Sequence, residues 1–514
     1  MYFHQIIKKN IQGKLKLTYN NTLRASEFIS GIDCIDETDR ITIADVIQIL
    51  SIVYNIGHFY NTFTASRAII MIAERDSNFI NFFNSGIEDE RFHETAKKIF
   101  STGDYHRMHL LNSLMVLEQC DLQIKSVKLA KEIIYAYINE NALESMSKLH
   151  YVFKLFRTVR NVAYVAYDLQ IANTPFTLDI GNEKAMLSFF EELLSEFNNR
   201  EAANNLIESV QKLLDDAVYN QSDNVICYYK ISKQIYRKMI ENRYENVEGF
   251  YQNYWLDKDS IFNKKYSQNH DYVKEGMLKL TFGKQQQQIA KELLIKLEKL
   301  NNVRVGYYNR YYGEMTIVAS VNEKCGDKKK VAFQLMKVVV KYLKMIDDIE
   351  SNDPRFLLIT KFFIRYVFDE NPIIIKSALD EKKCVICTRG SKKRISTLQL
   401  ILNSANGCDD DIHEVQAIIN FLKTDNVNDV TITISGSTVV YSKNNSKELC
   451  EFDGIIIYPN RKENQIILIE AKNTTGRPSY GKNCLKRKIE QLRIQYDVEK
   501  NNIINYDSYY KLSI

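Results

Sequence analysis

Apolar positions recur at helical spacing through most of the N-terminal part of the chain. Leu187, Phe190, Leu194 and Phe197 follow it, as do Ala203, Leu206, Val210, Leu213 and Ala217. Asn173 to Gly181 carries Pro175 and reads as a connection. Residues 1–220 are therefore expected to form a largely helical region. The pattern then changes. Asn302 to Tyr308 and Glu314 to Val321 read as a hairpin, Lys328 to Ile346 as a strong helix, and Gln285 to Gln288 as a solvated helix face. Asn352-Asp-Pro354 and Asp369-Glu-Asn-Pro372 read as turns. This predicts a mixed α/β central region over 221–400.

Residues 401–514 carry the sharpest pattern. Asp409-Asp-Asp411 caps a predicted helix whose apolar positions are Val415, Ile418, Ile419 and Leu422. Val430 to Ile434 and Thr438 to Tyr441 supply strands. Glu451 to Tyr458 and Gln465 to Lys472, joined by Pro459 to Asn464, read as an antiparallel hairpin. Leu485, Ile489, Leu492 and Tyr496 mark a second helix, and Tyr509 to Ile514 a closing strand. If the hairpin loop is symmetric, Asp453 faces Glu470 and Glu451 faces Lys472, all on one face because side chains alternate. Two carboxylates at cross-strand distance repel unless a cation lies between them, and a hard divalent ion prefers such oxygens. The plainer reading is a solvated hairpin end with cross-strand ion pairs. It is weakened because Ile455, Ile457, Ile466 and Leu468 share that face and imply burial.

Asp453, the Glu470-Ala-Lys472 tripeptide and the apolar run before it resemble the PD-(D/E)XK, or restriction-endonuclease-like, nuclease core. That core runs helix, strand, strand, strand, helix, strand, an order these elements can supply. The resemblance implies Asp453, Glu470 and the Ala471 carbonyl as ligands of Mg²⁺ or Mn²⁺, with Lys472 attending the attacking water. It makes Glu414 and Glu451 candidate additional acids. Bound metal would lower the pKa of water and offset charge on the phosphorane oxygens, while a lysine beside two carboxylates stays charged and orients water. Phe452 stands where the family often has proline, and the second helix lacks a Gln-x-x-x-Tyr motif, since Gln495 follows Gln491 at that spacing. The expected class is thus multidomain α plus α/β, ending in a restriction-endonuclease-like core.

Basic residues follow the hairpin. Arg477, Lys482, Lys486, Arg487 and Arg493 are candidate contacts to nucleic-acid phosphates, whose neutralisation supplies sequence-independent affinity. Lys382, Lys383, Arg389, Lys392, Lys393 and Arg394 form a second cluster. The net charge of +5 is modest, so basicity has to be argued locally. Nine irregularly spaced cysteines fit a reducing cytoplasm better than a disulfide framework. The N-terminus lacks a secretory signal pattern, and the apolar stretch Val46 to Phe59 is too short to span a bilayer. No Gly-rich phosphate loop or nucleophile elbow is present, so NTP hydrolysis is not implied.

Weaker signals remain. Val53-Tyr-Asn-Ile-Gly-His58 resembles the His-Asp-Ile-Gly-His segment of HD-domain phosphohydrolases, with Tyr54 and Asn55 replacing the metal-binding pair. Such a domain would be degenerate; otherwise Ile52, Ile56 and Phe59 are a core helix face. His106 and His109 fit packed or surface roles better than a metal site, and Cys384-Val-Ile-Cys387 fits two buried thiols. The sequence therefore predicts a cytoplasmic, Mg²⁺-dependent nuclease acting on DNA in preference to RNA. By analogy it serves as a bacterial antiviral or restriction effector, with no membrane partner and with a homodimer or gating protein as candidate regulator. The alternative is a catalytically inactive nucleic-acid-binding or assembly protein that retains the fold.

Overall fold

A computed structural model describes residues 46–139, 209–241, 276–346, 353–374, 385–403, 409–425, 430–473, 479–492 and 503–512, with scattered exceptions, and the short segments 34–36 and 41–42. The expected helical run at 187–197 and the connection at 173–181 lie outside these residues, as does Cys384; of the run from 203 to 217 only the last part is described, and Ala217 falls in a short π-helix (Asp215–Tyr219). The chain divides into two compact units, 1–270 and 271–514. Among the described residues no helix is long and apolar enough to cross a membrane.

The first unit opens on a short ladder, β1 (Cys34–Asp36) against β2 (Ile41–Thr42), which helical periodicity did not announce. Helices follow: α1 (Thr62–Ala73), α2 (Asn78–Asn84), α3 (Glu90–Thr102), α4 (Met108–Cys120), α5 (Lys125–Asn139) and α6 (Ser222–Glu241). Helix α3 is delimited as its sequence dictates. The Asp89 side chain accepts from the Arg91 N–H at its start, and Gly103 adopts the left-handed conformation (φ 68°) at its end. Phe79, Phe83, Phe92 and Phe100 are buried on the facing sides of α2 and α3. Tyr54, Ile56 and Phe59 are core residues. Gly57 is required there, because a Cβ would come within 2.0 Å of the His109 carbonyl oxygen. The His109 ring stacks on His58 with centroids 4.0 Å apart, and half-buried His106 meets Phe63 edge-on.

The second unit begins with a β-α-β-β-α-α run: β3 (Met277–Phe282), α7 (Gln287–Glu298), β4 (Val303–Asn309), β5 (Met315–Val321), α8 (Lys328–Leu343) and α9 (Pro354–Phe368). Strand β5 lies between β3 and β4, antiparallel to both, so the expected hairpin is present and gains a third strand. The turn expected at 369–372 is shorter than its signals suggest. Asp369 turns the chain in the left-handed conformation, and Asn371 and Pro372 already belong to β6 (Asn371–Ile374). Proline is tolerated because β6 is an edge strand of a three-stranded sheet, where a missing N–H need not break a ladder.

Next come β7 (Val385–Arg389), α10 (Ser391–Asn403), α11 (Asp409–Thr424), β8 (Val430–Ile434), β9 (Thr438–Tyr441), β10 (Glu448–Phe452), β11 (Gly454–Ile457) and β12 (Ile466–Glu470). The chain closes with α12 (Ser479–Gln491), β13 (Ile503–Ile504) and β14 (Asp507–Leu512). Three aspartates in the first turn of α11 suit the positive end of its dipole. The larger sheet runs β13-β14-β12-β11-β8-β7 with every neighbour antiparallel. One face packs Ile455, Ile457, Ile466 and Leu468 against Leu485 and Ile489 of α12. The other packs Ile456, Ile467 and Ile469 against Ile418 and Leu422 of α11. The first of these cores also includes the β3–β5 sheet and α7–α9, so the expected segments 221–400 and 401–514 share one interior.

Candidate active site

The expected hairpin has the predicted register. Ile455 pairs with Leu468 and Gly454 with Ile469, which sets Asp453 opposite Glu470. The strand does not continue through Asp453, however. The backbone bends there, and β10 leaves to pair with β9, with Glu451 opposite Val439. The cross-strand pairing of Glu451 with Lys472 is therefore not made. A physical cause lies one residue on. Helix α11 approaches β11 so closely that a Cβ on Gly454 would fall 2.8 Å from Ile418 Cδ1. Glycine is what lets the strand turn against the helix at this point.

Asp453 is held at the bend by its own N–H, which donates to the Ile469 carbonyl at 3.1 Å. Its Oδ2 accepts the Ala471 N–H at 2.6 Å, which ties the aspartate to the Glu470-Ala-Lys472 tripeptide. Glu470 ends β12 with 0 % exposure. Its two oxygens face two ammoniums: Lys472 Nζ lies 2.7 Å from Oε1, and Lys488 Nζ lies 2.5 Å from Oε2. Lys472 also stands 3.9 Å from Asp453 Oδ2. Two carboxylates and two ammoniums thus balance within a largely buried pocket.

Glu414, on α11, faces the same place. Its Oε2 is buried with no hydrogen-bond partner among the described residues. Burial first, then the charges of Asp453, Asp411 and Glu451, push its carboxyl up to about 8, against the opposing pull of Lys472. Asp453 is raised as well, by burial and then by the Glu470 charge. Burial alone would lower Lys472, but its hydrogen bond to Glu470 and the charges of Asp453 and Glu470 outweigh it, and the net shift is upward. Lys472 therefore remains an ammonium at neutral pH, suited to orienting water rather than taking a proton from it.

The fold thus brings together Glu414, Asp453, Glu470, Ala471 and Lys472. Glu451 contributes its charge from the adjoining strand. Lys482, Lys486 and Arg487 are exposed on α12, Lys486 standing 3.9 Å from Glu490. Arg477, Arg493, Lys382 and Lys383 lie outside the described residues, and only the backbone is described for Arg389 and Lys392 to Arg394. Lys488 is the residue the periodic reading missed. It stands three residues after Leu485 and four before Leu492, on the apolar stripe of α12, and a lysine there needs an acid to meet.

Among the described residues, no three Asp, Glu, His or Cys side chains are already gathered as a metal cage. The donor chemistry nevertheless suits a hard divalent ion. It offers carboxylate oxygens of three acids, one of them a buried oxygen lacking a partner. No protein-family model matches the chain, and no match was found among curated proteins or solved structures.

Glu414 makes the site sensitive to pH in a definite direction. Its folded-state pKa, about 8, exceeds its ordinary value of 4.5, so the folded chain binds this proton more readily than the unfolded chain. Stability of the metal-free protein is expected to fall as pH rises from 4.5 to about 8 and to level off above that. Thermal melts in EDTA across this range check the slope. Glu414→Gln should flatten it and raise the melting temperature at the alkaline end; an unchanged slope in that variant rejects the assignment.

Proposed function

We propose that the C-terminal unit is a metal-dependent phosphodiesterase acting on nucleic acid, DNA in preference to RNA, on a restriction-endonuclease-like core. The observation that carries this reading is that Asp453 is tied to the Glu470-Ala-Lys472 tripeptide at one end of a buried hairpin, with buried Glu414 close enough to feel the charges of Asp453 and Lys472. A sheet gains nothing from gathering acids in an apolar setting, and perturbed carboxylates in such a place are a mark of chemistry. Asp453 and Glu470 would hold Mg²⁺ or Mn²⁺, with Glu414 and the Ala471 carbonyl as further donors. Such an ion, when bound, acidifies water and offsets charge on the phosphoryl oxygens.

The remaining steps belong to the protein. The Ala471 N–H fixes the Asp453 carboxylate. Lys488 gives the fully buried Glu470 side chain a direct partner, so it does not stand as an isolated buried charge. Lys472 keeps its proton and donates hydrogen bonds toward the nucleophile or the scissile phosphate. Lys482, Lys486 and Arg487 offer exposed charge to the flanking phosphates. A cytoplasmic role in antiviral defence or restriction agrees with this chemistry as analogy alone.

One observation favours the second reading, an inactive nucleic-acid-binding protein. Both oxygens of Glu470 already meet lysines, which satisfies the charges without an ion. Incubating the full chain with plasmid DNA and with RNA in Mg²⁺ separates the two. Cleavage should be abolished by EDTA, and Asp453→Asn should lower it by about 10²–10³-fold, the usual effect of removing one group that stabilises developing charge. Equal behaviour of intact, chelated and Asp453→Asn protein assigns the pocket to a structural ion-pair network.

A further inference from the structure

Helix α8 and its neighbour α9 are charged with a single sign. From Lys328 to Lys344 the chain carries six lysines and no acid, and from Pro354 to Phe368 it carries Arg355, Lys361 and Arg365, again with no acid. Those basic residues outnumber the net charge of +5 on the whole chain, so the remainder is net acidic and the positive charge is concentrated here. The two helices pack on one another. Their apolar positions, among them Val339, Val340, Phe362 and Phe363, are buried in the core they share with the candidate nuclease sheet.

The charge on α8 is also ordered. After Lys328, the exposed positions of α8 are Lys330, Gln334, Lys337 and Lys341, and Lys344 continues the line half-buried. Intervals of three and four residues place these side chains on one face. At 1.5 Å of rise per residue the line from Lys330 to Lys344 is about 21 Å long, or about six phosphate steps of a duplex strand at 3.4 Å each. None of these four lysines has an ion-pair partner among the described residues. A solvated helix of ordinary character mixes both signs, which lets i,i+4 pairs form; this face forgoes them throughout.

We propose that the exposed face of α8 is a sequence-independent docking surface for the phosphodiester backbone of nucleic acid, distinct from the basic residues of α12. The choice of nucleic acid over another polyanion rests on the nuclease reading of the same unit. A lipid surface fits less well. Membrane-lying basic helices immerse apolar side chains beside their lysines, whereas within α8 every apolar residue except half-buried Val338 is buried, Met345 is exposed only past the helix end, and the exposed line is lysine and glutamine. A phosphate track needs only regularly placed cations, which this line supplies.

The test measures anisotropy of a labelled 30-bp DNA duplex and a 30-nt RNA with the full chain in EDTA, so that cleavage plays no part. The expected result is that Lys330→Gln/Lys337→Gln/Lys341→Gln weakens binding at least tenfold near 0.1 M salt. The slope of log K against log salt should flatten by about 2–3, as three lost phosphate contacts require. Lys296→Gln/Lys299→Gln at the C-terminal end of α7 should leave both quantities near those of the intact chain, and circular dichroism confirms folding. Intact affinity and slope in the triple variant overturn the proposal, as does an equal loss in the control pair. It is also overturned if the triple variant loses binding to phosphatidylserine vesicles while keeping DNA. Cleavage in Mg²⁺ is scored separately: an intact chain that binds but never cuts sinks the nuclease reading and leaves this surface standing.

Discussion

Glu470→Gln is expected to destabilise the fold by about 3 kcal/mol and to lower metal-dependent cleavage by at least ~10²-fold. The substitution is nearly isosteric, so no cavity forms and the loss is electrostatic. In the native protein one fully buried carboxylate meets two ammoniums, at 2.7 and 2.5 Å. Glutamine leaves Lys472 and Lys488 facing each other with only Asp453 to offset them. Removing one member of a buried ionic cluster typically costs about 3–5 kcal/mol. The lower end applies because the side chains of Lys472 and Lys488 keep 24 % and 16 % exposure and can turn toward water. Denaturant unfolding at constant m-value gives the first quantity, and plasmid cleavage the second. The double variant Glu470→Gln/Lys488→Met separates the two roles. It removes the stranded cation, so stability should partly recover while cleavage stays lost. A single variant as stable as the parent means that the ionic cluster does not exist in solution.

Phe368→Ala is expected to cost about 3–5 kcal/mol, although its side chain takes no part in chemistry. Phe368, the last residue of α9, stacks on Phe452 with ring centroids 5.4 Å apart and planes 11° from parallel. Both rings are buried within the core that joins the first three strands of this unit to the later sheet. Truncation loses the transfer free energy of the ring and leaves a void in a close-packed interior, and the stacked pair adds about 0.5–1.5 kcal/mol beyond its area. Phe452 directly precedes Asp453, so a repacked ring shifts the bend that carries the aspartate. Cleavage should fall even under conditions where the variant remains folded. Phe368→Leu, which refills most of the volume, should restore the greater part of both. Wild-type stability in Phe368→Ala would falsify the shared core.

The same residues explain what the sequence disclosed. Isoleucine runs on either side of Pro459 to Asn464 define two strands, and counting outward from that loop aligns Ile455 with Leu468 as observed. Asp453 and Glu470 follow from the same count. Their partners do not. Cys450 and Phe452 are one residue out of phase with Ile455 and Ile457 yet bury in the same core, so the slip at residue 453 is the one trace the pattern leaves of the change of sheet. That change is imposed by α11 pressing Ile418 against Gly454, a contact between positions distant in the chain. Glu414 was within reach through the family resemblance alone, and it lies on α11 four residues before Ile418. Lys488 was hidden in a run of basic residues whose shared sign masked its different surroundings.

The corner at Asp453 has an evolutionary corollary. One residue of chain separates two ladders, β10 with β9 and β11 with β12, each with its own register. Adding or deleting an amino acid between 450 and 457 must break one alignment to preserve the other, and either slip turns the aspartate away from Glu470. The exposed Lys462 and Glu463 at the neighbouring tip bear no such constraint, since lengthening a solvent-facing connection changes only its closure entropy. Natural variants of this protein should accordingly differ in length at that tip and remain invariant in length through the corner.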